Sequence, residues 1–456
     1  MLPFFKKYKI EIVIFVLAIL ARIFLLGINL GANNGNFEKT IHGADSFFEV
    51  SQNLYKGDGF SIDGVSPSLI HVPLYPFFLA LSLFLFGNYF FAVALQIIIG
   101  SLIPLLASRL SFDILHSRKV AIFVGFFIAL EPNFILFSFI FFAETLFIFF
   151  FLLSLLFFIR YLERGQIKLL IFFTVLLGLT SLIKPVVQFF PLFLLPVMLW
   201  FLRKRFTWKT LLTHSVLFVC LFVTILSPWI YRNYKEFGTP GMTIMPSLNL
   251  YATLAPSVLS IEQGVSFEEA RMRFINDRNV DVSRLTFSTA SEFNDEAFGV
   301  LKKYPVSFAK VVAINVFTFF THDRVLSALQ YAGFSPEKKL SGPAIVMLFE
   351  SPKELLETII ANLSSPFLLV LIMRIFWIIT TILFFAGAIL LFYRKKMTAP
   401  IVFALVTVLY FAFTTPSNGL TVNGRFRMPV NPIILTIASY PLMAIFLKKK
   451  KQDGDN

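Results

Sequence analysis

The chain has 456 residues, 57% of them hydrophobic and only 14% charged. A soluble domain carries roughly 25% charged residues, and a core of ordinary size would not hide this much apolar side chain from water. The net charge of +14 would point to nucleic acid in a soluble protein. Here the basic residues sit in short clusters between long apolar runs, the pattern of cytoplasmic loops, which excludes that partner.

The first apolar run, Ile10 to Leu30, follows Lys6, Lys7 and Lys9. It is too long for a signal-peptide core and lacks a small-residue cleavage site, so it reads as a retained span. Further basic clusters are Arg109 with Arg118 and Lys119, Arg160 with Arg164 and Lys168, Arg203 to Arg205 with Lys209, Arg394 to Lys396, and Lys448 to Lys451. Placing them all in the cytoplasm predicts spans near 10–30, 89–110, 119–137, 138–160, 168–183, 185–202, 210–231, 366–393, 398–415 and 429–447. Lys184-Pro185 breaks the 168–202 stretch, because proline cannot continue an unkinked helix. The expected fold class is an all-α polytopic membrane protein of about ten transmembrane helices with two large outer loops, residues 31–88 and 232–365. Three units follow: 1–231, the outer region 232–365, and the C-terminal helices with a cytoplasmic tail, 366–456. Val306 to Thr321 reads as an interfacial helix, since a further span would place Arg394 to Lys396 outside. The lone Cys220 leaves no disulfide within the chain. The 60 Phe residues reflect coding bias rather than a cofactor box.

In the first outer loop, Phe47, Val50 and Leu54 recur at helical spacing. Ser46 and Glu49 form a capping-box pattern, and Gly57 suits the position after the helix end. Asp45 then stands at the helix start beside the membrane surface. It is either a capping carboxylate or a general base aimed at an acceptor hydroxyl. His71-Val72-Pro73-Leu74-Tyr75-Pro76 stiffens the turn into the next helix. His42, Asp45, His71, His322 and Asp323 could be assembled into a metal site on paper, but no pair has spacing that requires one. No metal and no cofactor are expected, with a divalent ion left open.

An ionisable group at the bilayer centre costs about 2.5–3.5 kcal/mol on insertion scales, so it usually faces a wet or functional cavity. Arg22, Glu144 and Lys184 all fall near the outer ends of their spans, at the depth of Asp45. Arg22 is also placed to snorkel to head groups. Two arginine sites flank this region: Pro228-Trp229-Ile230-Tyr231-Arg232-Asn233, and Asn423-Gly424-Arg425-Phe426-Arg427-Met428-Pro429. They are either interfacial anchors or a bidentate clamp for a lipid phosphate.

These features, in this order, resemble the GT-C membrane glycosyltransferases, in particular the branch of protein O-mannosyltransferases and the lipid A aminoarabinose transferase (glycosyltransferase family 39 and its bacterial relatives). The likeness runs through Asp45 at a loop helix, Gly57-Asp58-Gly59-Phe60, Pro73 to Pro76, and Glu144 in a Phe-rich span. It continues through Gly178 to Pro185, Pro228-Trp229 with Arg232-Asn233, Leu248 to Tyr251, and Arg425 to Pro429. Where the mannosyltransferases often carry Asp-Glu, this chain has Asp45-Ser46. Where the aminoarabinose transferase has a Lys before Pro, it has His71-Val72-Pro73.

The resemblance implies transfer of a sugar from a polyprenyl-phosphate carrier to an acceptor hydroxyl on the extracytoplasmic side of the cytoplasmic membrane, with inversion. Asp45 would be the base, with Glu49 and Glu144 as further acidic groups. Arg232, Arg425, Arg427 and Lys184 would hold the donor phosphate, with His71 and Tyr75 on the acceptor side. The partners are then the lipid-linked donor, membrane lipids, and an acceptor glycan, lipid or protein that the sequence does not identify. The competing readings are a transporter or flippase of lipid-linked sugars, and a catalytically silent assembly protein of the same fold.

Overall fold

The structure, a computed structural model, describes residues 8–276, 285–335, 347–348, 351–363 and 366–452. Lys6 and Lys7 of the first basic cluster, and parts of 232–365, lie outside the described residues. The first half of the chain forms α1 (Lys9–Ala32), α2 (Phe37–Ile41), α3 (Phe47–Lys56), α4 (Leu74–Phe86), α5 (Phe90–Leu115), α6 (Arg118–Leu130), α7 (Pro132–Leu136), α8 (Glu144–Arg164), α9 (Ile167–Ile183), α10 (Phe190–Leu202) and α11 (Trp208–Phe237). Then come α12 (Met245–Asn249), α13 (Ala255–Gln263), α14 (Phe267–Asn276), α15 (Ala290–Lys303), α16 (Pro305–Thr321), α17 (Val325–Tyr331) and α18 (Pro352–Ala361). Last are α19 (Leu368–Tyr393), α20 (Ala399–Thr414) and α21 (Asn431–Gln452). No strand occurs among the described residues beyond one isolated bridge, Ser61 to Pro67.

Among the described residues, eight helices are long and apolar enough to cross a membrane: α1, α5, α8, α10, α11, α19, α20 and α21, some with short flanking turns. The protein is a multi-pass membrane protein. Two shorter apolar helices, α4 and α9, accompany them; the eight candidates are fewer than the ten spans expected. One apolar core runs through residues 41–242 and 319–440, so the C-terminal helices complete the bundle of the N-terminal ones. A second, smaller core lies within 244–311 and belongs to the segment after α11.

The expected spans 119–137 and 138–160 are corrected. Helix α6 ends at Leu130 and α8 begins only at Glu144. Pro132 holds Glu131 out of the helical region, at ψ 124°, and the Glu131 carboxylate then caps α7 by accepting from Phe134 N at 3.0 Å. Residues 131–143 thus form no long helix: apart from the short α7 they are irregular backbone, buried inside the bundle but for the half-buried Pro132. At membrane depth such backbone survives only where neighbouring protein satisfies it. Arg22 donates to the carbonyls of Gly100 at 2.8 Å and Phe134 at 3.2 Å. Gln96 Nε2 donates to Phe137 O at 3.0 Å and Ile140 O at 3.2 Å, and Thr145 donates to Phe137 O at 2.6 Å. Arg22 therefore does not snorkel: it is fully buried and holds this segment.

Helix α16, the expected interfacial helix, is continuous over Pro305–Thr321. It bends by 100° from α15 and packs on α19, Phe320 meeting Phe384 and Phe385. Its C-terminus delivers His322, Asp323 and Arg324 to the bundle end where α8 begins.

Two outcomes are expected from this fold. On a Cys220→Ala background in intact cells, Asp58→Cys should label with a membrane-impermeant thiol reagent and Lys204→Cys should not; the opposite pattern reverses the topology. Gln96→Leu strips partners from the Phe137 and Ile140 carbonyls and from the Tyr75 hydroxyl, which donates to Gln96 at 3.0 Å. Each buried group left unpaired costs about 1–3 kcal/mol. Thermal unfolding in detergent should fall by several degrees, and an unchanged midpoint would show that the segment does not depend on this side chain.

Candidate active site

Asp45 lies between α2 and α3. Its backbone is held from two directions: His71 Nε2 donates to the Asp45 carbonyl at 2.6 Å, and Phe141 N donates to Ile41 O at 2.8 Å. Gly43 allows that close approach, since a Cβ there would sit 2.2 Å from Phe141 O. Ser46 adopts a left-handed conformation at φ 53°, and its side chain makes no cap hydrogen bond. The expected capping box is therefore absent; Glu49 instead pairs with His42 Nε2 at 3.0 Å. Gly57 does end α3 with φ 92°.

The Asp45 carboxylate does not cap either. It faces Arg425, which donates from Nη1 to Oδ1 at 3.3 Å and from Nη2 to Oδ2. Arg425 Nε donates to Glu144 Oε1, and Lys184 Nζ donates to the same oxygen at 2.6 Å. So residues from the first loop, the start of α8, the end of α9 and the turn before α21 form one ion-paired cluster. The Lys184-Pro185 break is what frees Lys184 from α9 to reach it: Lys184 is extended, at φ −150° and ψ 118°. Glu144 is 1% exposed, Arg425 16%, Lys184 29% and Asp45 31%, so the cluster opens at Asp45 and at Lys184.

A further cation stands here that the sequence reading passed over. Arg324, in left-handed backbone at φ 60°, donates to Asn423 Oδ1 at 3.3 Å. Asn423 Oδ1 also accepts from Arg425 N at 3.0 Å. Both guanidinium groups approach the Phe137 ring, Arg324 at 5.1 Å and Arg425 at 5.8 Å. Among the described residues, Arg324 Nε and Glu144 Oε2 are buried without a hydrogen-bond partner. The available signal was a charged triplet, His322-Asp323-Arg324, directly after an apolar helix.

The remaining candidates fall elsewhere. Arg427 is buried, stacked 3.7 Å from the Trp377 ring, and donates to the carbonyls of Phe319, Phe320 and His322 and to Asn431. Its donors hold the end of α16 rather than facing the cluster. Arg232 donates to Ser68 O at 3.3 Å and Asn233 Oδ1 at 2.9 Å, among the rings of Phe60, Trp229 and Phe237. It touches the loop that carries His71 but not Arg425. His71 packs edge-on against Phe47, and burial pushes its imidazole below the ordinary value. Tyr75 is buried on Gln96 and belongs to the scaffold. His322 Nδ1 accepts from Arg324 N, and Asp323 pairs with Arg374 at 2.5 Å. No three His, Cys, Asp or Glu side chains converge as metal ligands among the described residues.

Residues 70–231 match a family model described as dolichyl-phosphate-mannose-protein mannosyltransferase. That stretch contains His71, Tyr75, Glu144 and Lys184, while Asp45, Arg324 and Arg425 lie outside it. No curated protein sequence matches the chain. Among solved structures, the crystal structure of the Archaeoglobus fulgidus oligosaccharyltransferase in its apo form is similar over 99% of this chain and 52% of that one, with a TM-score of 0.53 and 13% identity. The chain thus spans about half the length of the archaeal protein, and at that identity the likeness is one of fold. The all-helical architecture of the described residues is similar to that of the archaeal oligosaccharyltransferase.

Proposed function

We propose that the protein is a glycosyltransferase that moves a sugar from a polyprenyl-phosphate carrier to an acceptor hydroxyl, with inversion, on the extracytoplasmic side of the cytoplasmic membrane. The observation that carries this reading is the meeting of Asp45 and Glu144 with Arg425, Lys184 and Arg324 at one end of the helix bundle. The match of residues 70–231 to a mannosyltransferase family supports it.

In such a transfer the acceptor oxygen attacks the anomeric carbon from the side opposite the phosphate. The bond between that carbon and the phosphate oxygen breaks, and polyprenyl phosphate leaves with the electron pair. Asp45 takes the hydroxyl proton as the new bond forms, a role typically worth about 10²–10⁴ in rate. Negative charge grows on the phosphate as it departs. Arg425, with Arg324 and Lys184 nearby, stabilises that charge more in the transition state than in the bound donor, which is what accelerates the step. Glu144 keeps Lys184 and Arg425 in place. The direct test is to incubate purified protein with a panel of polyprenyl-phosphate sugars and candidate acceptors. Acceptor-dependent release of polyprenyl phosphate is expected. Binding of these lipids with no release from any of them would favour the flippase reading.

Asp45→Asn keeps the size of the side chain and removes its proton acceptance. Transfer should fall at least 100-fold, on the order set by loss of a general base, while the protein still purifies as a folded species. If most activity survives, Asp45 is not the base, and Glu49 becomes the next residue to replace. Arg425→Lys keeps the charge but loses the planar fork; turnover at saturating donor should drop with folding retained. Arg427→Lys should instead register as a lower unfolding temperature, because three carbonyls lose their donors. Wild-type heat stability in that variant would sink the scaffold role.

A further inference from the structure

We infer that in the empty protein the Asp45 carboxylate occupies the donor-phosphate position on Arg425, so that the arriving lipid phosphate displaces Asp45 and only then frees the base for the acceptor. This rests on the donor being a polyprenyl-phosphate sugar.

The geometry has four parts. Arg425 presents its fork to Asp45, with Nη1 and Nη2 each bonded to one carboxylate oxygen. The two unesterified oxygens of a phosphodiester match the same fork, so phosphate and carboxylate compete for one pair of donors. A base whose two oxygens both face that guanidinium is not facing an acceptor hydroxyl. The partners of Arg425 are also unequal. Glu144 is 1% exposed and keeps Lys184 at 2.6 Å, whereas Asp45 is 31% exposed and water can receive it. Asp45 is therefore the partner that gives way.

The backbones need not move. Asp45 O is held by His71, and Arg425 N donates to Asn423 Oδ1, so the exchange is a side-chain rotation. Finally, Arg324 brings a buried Nε with no partner among the described residues beside the Phe137 ring that Arg425 also approaches, a second donor for the arriving anion. Binding order follows: donor first, then an acceptor that meets a released base.

The test measures binding of undecaprenyl phosphate to wild type, Asp45→Asn, Arg425→Gln and the double variant, by native mass spectrometry or thermal shift. Removing the competitor should tighten binding in Asp45→Asn by roughly tenfold, the scale of a typical coupling between sites. Arg425→Gln should weaken it, and adding Asp45→Asn to that background should gain little. Unchanged or weaker binding in Asp45→Asn overturns the exchange. So does an equal gain in the Arg425→Gln background, which would be plain charge repulsion. In both cases lipid-phosphate binding itself survives. Absence of binding in wild type and every variant overturns the donor reading, and the exchange with it. Should Arg425→Gln not fold, Arg425→Lys replaces it; the gain from Asp45→Asn is then expected to be smaller than in wild type, and an equal gain again overturns the exchange.

Discussion

The structure depends on one constraint: backbone carbonyls at membrane depth have no water to turn to, so irregular chain there must be met by side chains. Residues 131–143, the short α7 and the turns after it, are that interrupted chain. Arg22, Gln96 and Thr145 serve its carbonyls, and Asn133 Nδ2 reaches out at 2.8 Å to the carbonyl of Asp323. Gly100 leaves the room this requires; a Cβ there would lie 2.9 Å from Ser138 Cβ and 3.0 Å from Arg22 Nε. The interruption lets Glu144 start a fresh helix inside the protein, where its carboxylate meets Lys184 and Arg425.

A second interruption mirrors the first. Residues 415–430 turn between α20 and α21, and Gly419 lies so close to α13 that a Cβ would be 2.2 Å from Ser257 Oγ. Ser257 Oγ accepts from Leu420 N, and Gly424 sits against His322 O. Arg427 binds the end of α16 to this turn. The consequence is positional: Arg425, two residues earlier, faces the opposite way and meets Glu144 and Asp45. One guanidinium is scaffold and its neighbour is site, and each needs the other where it is.

This explains how far the sequence could be read. A charge inside an apolar run stands out because burying it is costly, and Glu144, Lys184 and Arg22 were visible on that ground. The helix break at Lys184-Pro185 was equally plain, because proline leaves few alternatives. The partners were not visible. Arg425 meets Asp45 across 380 residues and Glu144 across 281, and no local pattern encodes such a pairing. Arg22 and Arg427 carry the same signal as a functional arginine but are held by carbonyls. The boundary error at 131–143 has a similar origin: Glu131-Pro132-Asn133 sits in a continuous apolar stretch, and hydropathy averages over a three-residue interruption. The pattern at Ser46 fits a capping box, while its backbone is left-handed, at φ 53°, and its side chain makes no cap hydrogen bond.

The charges of the cluster constrain what it can receive. Asp45 and Glu144 are offset by Arg425 and Lys184, which leaves Arg324 with no carboxylate at hydrogen-bond distance among the described residues. In a partly buried site, a net charge is expensive unless a ligand brings the opposite one. A phosphodiester brings one negative charge and closes the balance. A diphosphate brings two and would leave the site negative beside two carboxylates. On the proposed reading, the surplus of a single cation therefore suits a monophosphate carrier.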